Sequence, residues 1–94
     1  MHHEQAEAIA IQALSFIASD AELLPRFLAL TGIEVGQIRQ AANEPGFLAG
    51  VLQFVLAHEP TLLAFSEQGG VPPQDVAAAH RQLPLGEGDW DIQP

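Results

Sequence analysis

The residues most able to do chemistry in this 94-residue chain are its four histidines. His2 and His3 follow the amino terminus, an arrangement that can bind copper or nickel through backbone nitrogens and an imidazole. Any chain with such a start has this capacity, so we interpret the two histidines as ordinary surface residues at a frayed chain end. His58 is followed directly by Glu59, which is not the HExxH spacing of a catalytic zinc site.

The remaining candidates give no enzyme signature. His80 follows Asp75 by five residues, a poor spacing for one helix face, so we expect a solvated helix end there. No serine or threonine stands in a nucleophile-elbow pattern, and Gly69-Gly70 lacks the lysine of a phosphate loop. Cysteine is absent, which excludes disulfides and thiolate zinc sites. We therefore expect no enzymatic activity, no cofactor and no metal.

The charge is strongly acidic. Twelve acidic residues face only Arg26, Arg39 and Arg81, and the net charge is −9. A phosphate backbone or an anionic membrane would be repelled, so we expect neither nucleic acid nor a membrane as a partner. A basic protein surface would be attracted, although the charge can equally serve only to keep an apolar-rich chain soluble.

The run FLAGVLQFVLA, residues 47–57, is the most apolar element. It carries no charge, and Gln53 has its only polar side chain. We predict a core helix that is surrounded by other helices. A bilayer span needs about 20 apolar residues, so this run is too short to cross a membrane. No basic segment precedes an apolar run at the amino terminus, and the expected location is cytoplasmic.

Capping and stop signals divide the rest of the chain into five further helices. Asp20 and Asn43 are suited to cap the second helix and the core helix, and Gly32 and Gly70 are suited to end the second and fifth. The predicted helices span residues 4–19, from 20 to about 31, from about 34 to 42, 47–57, 61–68, and from about 73 to Pro84.

The two halves of the chain resemble each other at a shift of 38 residues. The shift aligns Leu14 with Leu52, Phe16 with Phe54, Leu24 with Leu62, Phe27 with Phe65, Gly32 with Gly70, and Ala41 with Ala79. Two copies of a three-helix unit would explain this pattern, and chance similarity between helical segments would also explain it. In either case we predict an all-α fold, a compact bundle of about six helices. Residues 1–84 would form the helical domain and residues 85–94 a flexible acidic tail.

A resemblance to a known family supports the helical fold. The residues that carry it are the segment FLALTG at 27–32, Arg39 with Ala41 and Ala42, the entry PGFL at 45–48, Phe54, Glu59 and Phe65. In these residues the chain resembles an uncharacterised proteobacterial family of short helical proteins, domain of unknown function 3572, over about residues 6–84. Pro25 and Gly36 stand where better helix formers are expected. The resemblance implies an all-helical fold in a bacterial, cytoplasmic setting and supplies no catalytic residues.

Two functions remain open. The first is a protein-interaction domain, adaptor or regulatory, that binds another protein or itself through Arg26, Phe27 and Trp90. Trp90 would reach a partner from the tail, unless it folds back on its own domain or stays loose. The alternative is a small-molecule or lipid-binding domain with a pocket between the two units. That pocket would be lined by phenylalanines that are otherwise plain core, namely Phe16, Phe27, Phe54 and Phe65.

Overall fold

Six α-helices and one 3-10 turn make up the secondary structure of residues 1–44 and 46–83, which are the residues that the computed structural model describes. The helices are α1 (His3–Ala18), α2 (Leu23–Thr31), α3 (Ile38–Ala41), α4 (Phe47–Leu56), α5 (Glu59–Gly69) and α6 (Pro73–Gln82), with the 3-10 turn at Val35–Gln37. No strand occurs within these ranges, and the predicted all-α bundle of about six helices is confirmed. Pro45, the predicted stop at Pro84 and the predicted tail lie outside the described residues.

The core forms where α1, α4 and α6 meet. α1 contributes small residues spaced three and four apart, Ala6, Ala10 and Ala13, and then Ile17, all fully buried. Small side chains let neighbouring helices approach closely, and α1 packs extensively against both α6 and α4. Among the described residues, the largest fully buried side chains are Phe27, Phe65, Ile17, Leu52, Val51, Val55 and Val76.

The predicted stop of α2 is confirmed. Asp20 caps its start as predicted, but the helix itself begins three residues later than predicted, at Leu23. The Oδ1 atom of Asp20 accepts hydrogen bonds from the backbone N–H groups of Glu22 (2.8 Å) and Leu23 (3.0 Å), two donors that have no partner within the helix. Gly32 then ends the helix with φ 74°, and its N–H donates to the carbonyl of Leu28. A left-handed residue at this position costs glycine little because it has no Cβ.

The predicted start of α4 at residue 47 is confirmed, but its predicted cap is wrong. Asn43 does not cap this helix, which begins at Phe47 after Gly46 in a left-handed conformation, φ 87°. Glycine adopts this conformation without a steric clash, so the chain turns into the helix there. The fifth helix also begins earlier than predicted, at Glu59, because Pro60 is well suited to a first helical turn.

α4 is also less enclosed than predicted. It buries Ala49, Val51, Leu52 and Val55 against its neighbours, and it packs on α1, α5 and α6. Its remaining face carries Gly50 and Gln53, which are exposed, and Phe54, which is half-buried. An apolar composition therefore did not require burial on every side, and the open face lies towards α2.

The two halves are alike in their first two helices only. α1 packs on α2 as α4 packs on α5, and both second helices end at a left-handed glycine, Gly32 or Gly70. The third helices differ. α6 covers both α1 and α4, whereas α3 packs chiefly on the 3-10 turn next to it. The repeated pattern thus describes a helix pair and not a full three-helix unit.

Within the described ranges, no single helix has the length and apolarity to cross a bilayer. The pairs α1 with α2 and α4 with α5 reach that length and composition only when they are joined across bends of 113° and 107°.

Candidate functional site

The open face of α4 and the facing side of α2 enclose a groove of about 300 Å³, which we call the α2–α4 groove. Its lining residues are Arg26, Phe27, Leu30, Thr31, Gly50, Gln53, Phe54, Ala57 and His58. Two of the three residues predicted to bind a partner, Arg26 and Phe27, are thus brought together here. The third, Trp90, lies outside the described residues.

Phe27 forms the inner wall of the groove. Its ring meets the ring of Phe54 edge to face, with centroids 5.3 Å apart, and the ring of Phe47 in the same way at 5.9 Å. Edge-to-face contacts of this kind add to the free energy gained by burial. Phe27 is only 1% exposed, so it supports the groove rather than offering surface to a partner. The prediction that Phe27 contacts a partner directly is therefore corrected.

Arg26 lies on the rim above Phe54. Its guanidinium carbon stands 5.8 Å from the centroid of that ring, within the range of a cation–π contact. Within residues 1–44 and 46–83, one ion pair forms, between His3 and Glu7 (3.1 Å). Arg26 pairs with no described carboxylate. The guanidinium thus contacts an aromatic ring and has no carboxylate partner among the described residues.

The outer wall and the floor of the groove are apolar. Leu30, on the outer side of α2, is 73% exposed, the largest exposure among the big apolar side chains of the described residues. Gly50 forms the floor on α4, and a Cβ built at this position would have no atom of another described residue within 4 Å. A large side chain from outside could therefore rest on Gly50 between Leu30 and Phe54.

His58 closes one end of the groove. It precedes α5, and a hydrogen bond of 2.8 Å joins its Nδ1 atom to the Oγ1 atom of Thr61, which is buried. Within the part of the chain that the structure describes, the groove lining contains one arginine and one histidine but no carboxylate. In a chain of net charge −9, this is a local exception to the acidic surface.

Sequence reasoning missed Gly50 and Leu30, although each carried a signal. Gly50 is a glycine inside an otherwise apolar helix, which often marks a close approach to another group. Leu30 lies off the helix face formed by Leu23 and Phe27. A helix that buries that face therefore leaves Leu30 exposed.

The predicted ligand pocket lined by four phenylalanines does not form. Phe16 and Phe65 contact each other at 5.5 Å and line a separate depression between α1 and α5, whereas Phe27 and Phe54 belong to the α2–α4 groove. The depression has a volume of about 380 Å³ and is otherwise polar, with Gln12, Ser15, Ser19, Asp20, Gln68 and Gly69 as the other lining residues. Each pair joins one phenylalanine from each half of the chain, because α1 faces α5 and α2 faces α4.

The groups considered for chemistry remain apart. No cluster of three or more histidine, aspartate or glutamate side chains suited to a metal ion occurs in residues 1–44 and 46–83. His80 is not at a solvated helix end as predicted, because its Nε2 atom is buried and has no hydrogen-bond partner among those residues. The Oγ atom of Ser66 on α5 is also buried and has no hydrogen-bond partner among those residues.

Comparison with known proteins identifies a family. No curated protein and no solved structure gives a significant match to the chain. The family described as "Protein of unknown function (DUF3572)" matches residues 3–86, a range that includes all six helices. The chain therefore belongs to the DUF3572 family.

Proposed function

We propose that this chain is a small protein-interaction domain, with an adaptor or regulatory role, that binds an apolar and acidic segment of another protein in the α2–α4 groove. The observation that carries the proposal is the lining of that groove. It joins an exposed apolar wall to an arginine without a described acidic partner, and none of the described residues that line it carries a carboxylate.

The chemistry of the lining indicates the bound segment. A large apolar side chain would rest on Gly50 and displace water from Leu30 and Phe54, and such anchors supply most of the affinity at protein interfaces. A carboxylate on the same segment would accept hydrogen bonds from Arg26, whose planar guanidinium favours two parallel bonds to a carboxylate. The volume of about 300 Å³ suits one or two anchoring side chains.

The first experiment fills the groove from within. Gly50→Leu would place a side chain where the partner's anchor is proposed to rest, and the open surroundings of Gly50 leave room for it. The matched control is Ala8→Leu, which adds the same side chain at an exposed position of α1 away from the groove. Proteins retained from lysate by the full chain and by each variant would be identified, and each candidate would be purified and titrated against all three.

The expected result is a protein that binds the full chain and Ala8→Leu with equal affinity and that Gly50→Leu does not bind. A purified candidate with equal affinity for all three proteins would place the contact elsewhere. If every retained protein behaves in that way, the groove is not the interaction site.

A charge substitution tests the carboxylate. Arg26→Gln is expected to weaken binding of the purified partner by about 1.5–3 kcal/mol, the usual contribution of a hydrogen bond to a charged group. Arg81→Gln, an exposed arginine on α6 outside the groove, is the control and should leave the affinity unchanged. Equal effects of the two substitutions would show that only the overall charge of the chain matters.

The depression between α1 and α5 favours a second candidate function, the binding of a small molecule or lipid. Its volume of about 380 Å³ falls within the range of ligand sites, and two phenylalanines line it. Some of its polar groups already have partners, however. Gln12 donates to the carbonyl of Gly69 (3.3 Å), and Asp20 caps α2. Mass spectrometry of the natively purified chain would detect a retained ligand, and a Phe16→Ala variant that retains the same ligand would exclude this site.

A further inference from the structure

We propose that the chain's own carboxyl-terminal segment occupies the α2–α4 groove, with Trp90 and Ile92 against Leu30 and Phe54 and the flanking aspartates beside Arg26. The inference rests on the proposed function, because the segment would compete there with an external partner. The groove would then be regulated by this chain itself.

The composition of the segment complements the groove. Residues 89–92 read Asp-Trp-Asp-Ile, so acidic and apolar residues alternate. In an extended segment, alternate side chains point to opposite sides, which would place Trp90 and Ile92 together on one side. Asp89 and Asp91 would flank them at the level of the rim. The groove offers an apolar floor and wall together with an arginine and a histidine, and among the described residues its lining contains no carboxylate to repel the aspartates.

The position of Leu83 brings the segment within reach. Leu83 is the last residue that the structure describes, and it is only 5% exposed. Together with Leu48 and Ala49 it lines a depression beside the first half of α4. The groove follows the same helix from Gly50 onwards, so the segment departs from a neighbouring face of the helix that carries the groove.

The length of the segment is sufficient. Trp90 follows Leu83 by seven residues, which can span up to about 23–25 Å when extended. The path from Leu48 to Phe54, a third of the way round a helix of about 10–12 Å diameter and six residues along it, is about 15 Å. Trp90 can therefore reach the groove without any change in the helical domain.

Charge also favours a segment of the same chain over a free one. A separate acidic protein must approach a chain of net charge −9 and is repelled at long range. A tethered segment has an effective concentration in the millimolar range, which offsets that repulsion. An external partner then has to displace the segment, and its apparent affinity is lowered accordingly.

The single tryptophan allows a direct test that needs no partner. The chain contains one tryptophan and no tyrosine, so its emission reports on Trp90 alone. In the full-length protein, the emission maximum and the quenching by acrylamide would be compared with those of the same protein unfolded in urea. We expect a blue-shifted maximum and weaker quenching in the folded protein, at every protein concentration tested.

Two variants with matched controls assign that protection to the groove. Gly50→Leu and Leu30→Asp should restore the quenching seen in urea, the first by filling the groove and the second by repelling the aspartates. Ala8→Leu and Leu63→Asp, the latter at a leucine on α5 that is 52% exposed, should not. Leu30 is so exposed that its substitution should leave the fold intact, and circular dichroism of each variant checks this.

Three results would overturn the inference. Quenching in the native protein equal to that in urea would show that Trp90 does not dock. Protection that survives both Gly50→Leu and Leu30→Asp would place Trp90 elsewhere. Protection that appears only as the protein concentration rises would identify a second copy as the occupant. None of these results concerns an external partner, so the proposed function stands or falls separately by the titrations of the Gly50→Leu variant.

Discussion

The rings of Phe27 and Phe54 meet edge to face with an interplanar angle of 82°, although the helices that carry them, α2 and α4, are not among the helix pairs whose backbones pack closely. This one aromatic contact, with the neighbouring ring of Phe47, closes the space between the two helices from within. Above it the helices diverge enough to leave the α2–α4 groove open. Stability and the candidate interaction surface thus depend on the same side chain.

Phe27→Ala should lower the free energy of unfolding by about 3–5 kcal/mol, because it removes a fully buried aromatic ring and leaves a cavity. Urea unfolding followed by circular dichroism measures this loss. Leu30→Ala on the same helix is the control. Because Leu30 is exposed, its substitution should change stability by no more than about 0.5 kcal/mol. Similar losses for both variants would show that α2 is not anchored through Phe27.

Gly32→Ala and Gly70→Ala should each destabilise the protein by about 1–2 kcal/mol, because both glycines have positive φ, a conformation that a Cβ disfavours. Gly50→Ala should instead stabilise it by roughly 0.5–1 kcal/mol, since Gly50 lies within a helix and a Cβ there meets no atom. Thermal unfolding of the three variants should therefore give shifts of opposite sign. A stabilising effect at Gly32 or Gly70 would contradict the helix ends described above.

Asp20→Ala should cost about 0.5–2 kcal/mol, since the two backbone N–H groups at the start of α2 would lose their acceptor. Asp20→Asn should retain most of the stability, because an amide oxygen can accept the same bonds. Equilibrium denaturation at one pH and ionic strength compares the two. If both variants lose the same amount, the charge of Asp20, and not its capping geometry, stabilises the helix.

Thr61→Val should lower stability by about 0.5–1.5 kcal/mol, because it removes the hydrogen bond to His58 at nearly constant shape. The double variant with His58→Ala completes a cycle. Since both single substitutions remove the same bond, the double variant should lose less than the sum of the two. Strict additivity, measured by urea unfolding, would mean that the bond contributes nothing to folding.

Features that depend on neighbouring residues were predictable from the sequence. The cap at Asp20 and the stops at Gly32 and Gly70 are determined by side chains or dihedral angles within one turn of the helix end. The capping residue of α4 was harder to predict than its start, because Asn43 and Gly46 are both suitable near a helix start and only the path of the preceding chain selects one. Of all the features of a helix, its exact first and last residues are the ones that a sequence pattern determines least.

The candidate site was only half predictable. Arg26 could be found as an exposed cation beside a phenylalanine, but the burial of Phe27 depends on Phe47 and Phe54, which belong to another helix. The exposure of one face of α4 depends on how α2 crosses it, and no pattern within α4 records that crossing. Packing between distant segments therefore decided which phenylalanines pair and where the groove lies.

The packing of α6 on α1 has a consequence for the order of events during synthesis. α1 leaves the ribosome first of the six helices, yet one of its two most extensive helix contacts is with α6, which leaves last. Until about eighty residues have been translated, the alanines of α1 have no α6 to cover them. Before then, α4 is the other helix that packs extensively on α1, so this part of the core is complete only when the last helix reaches the first.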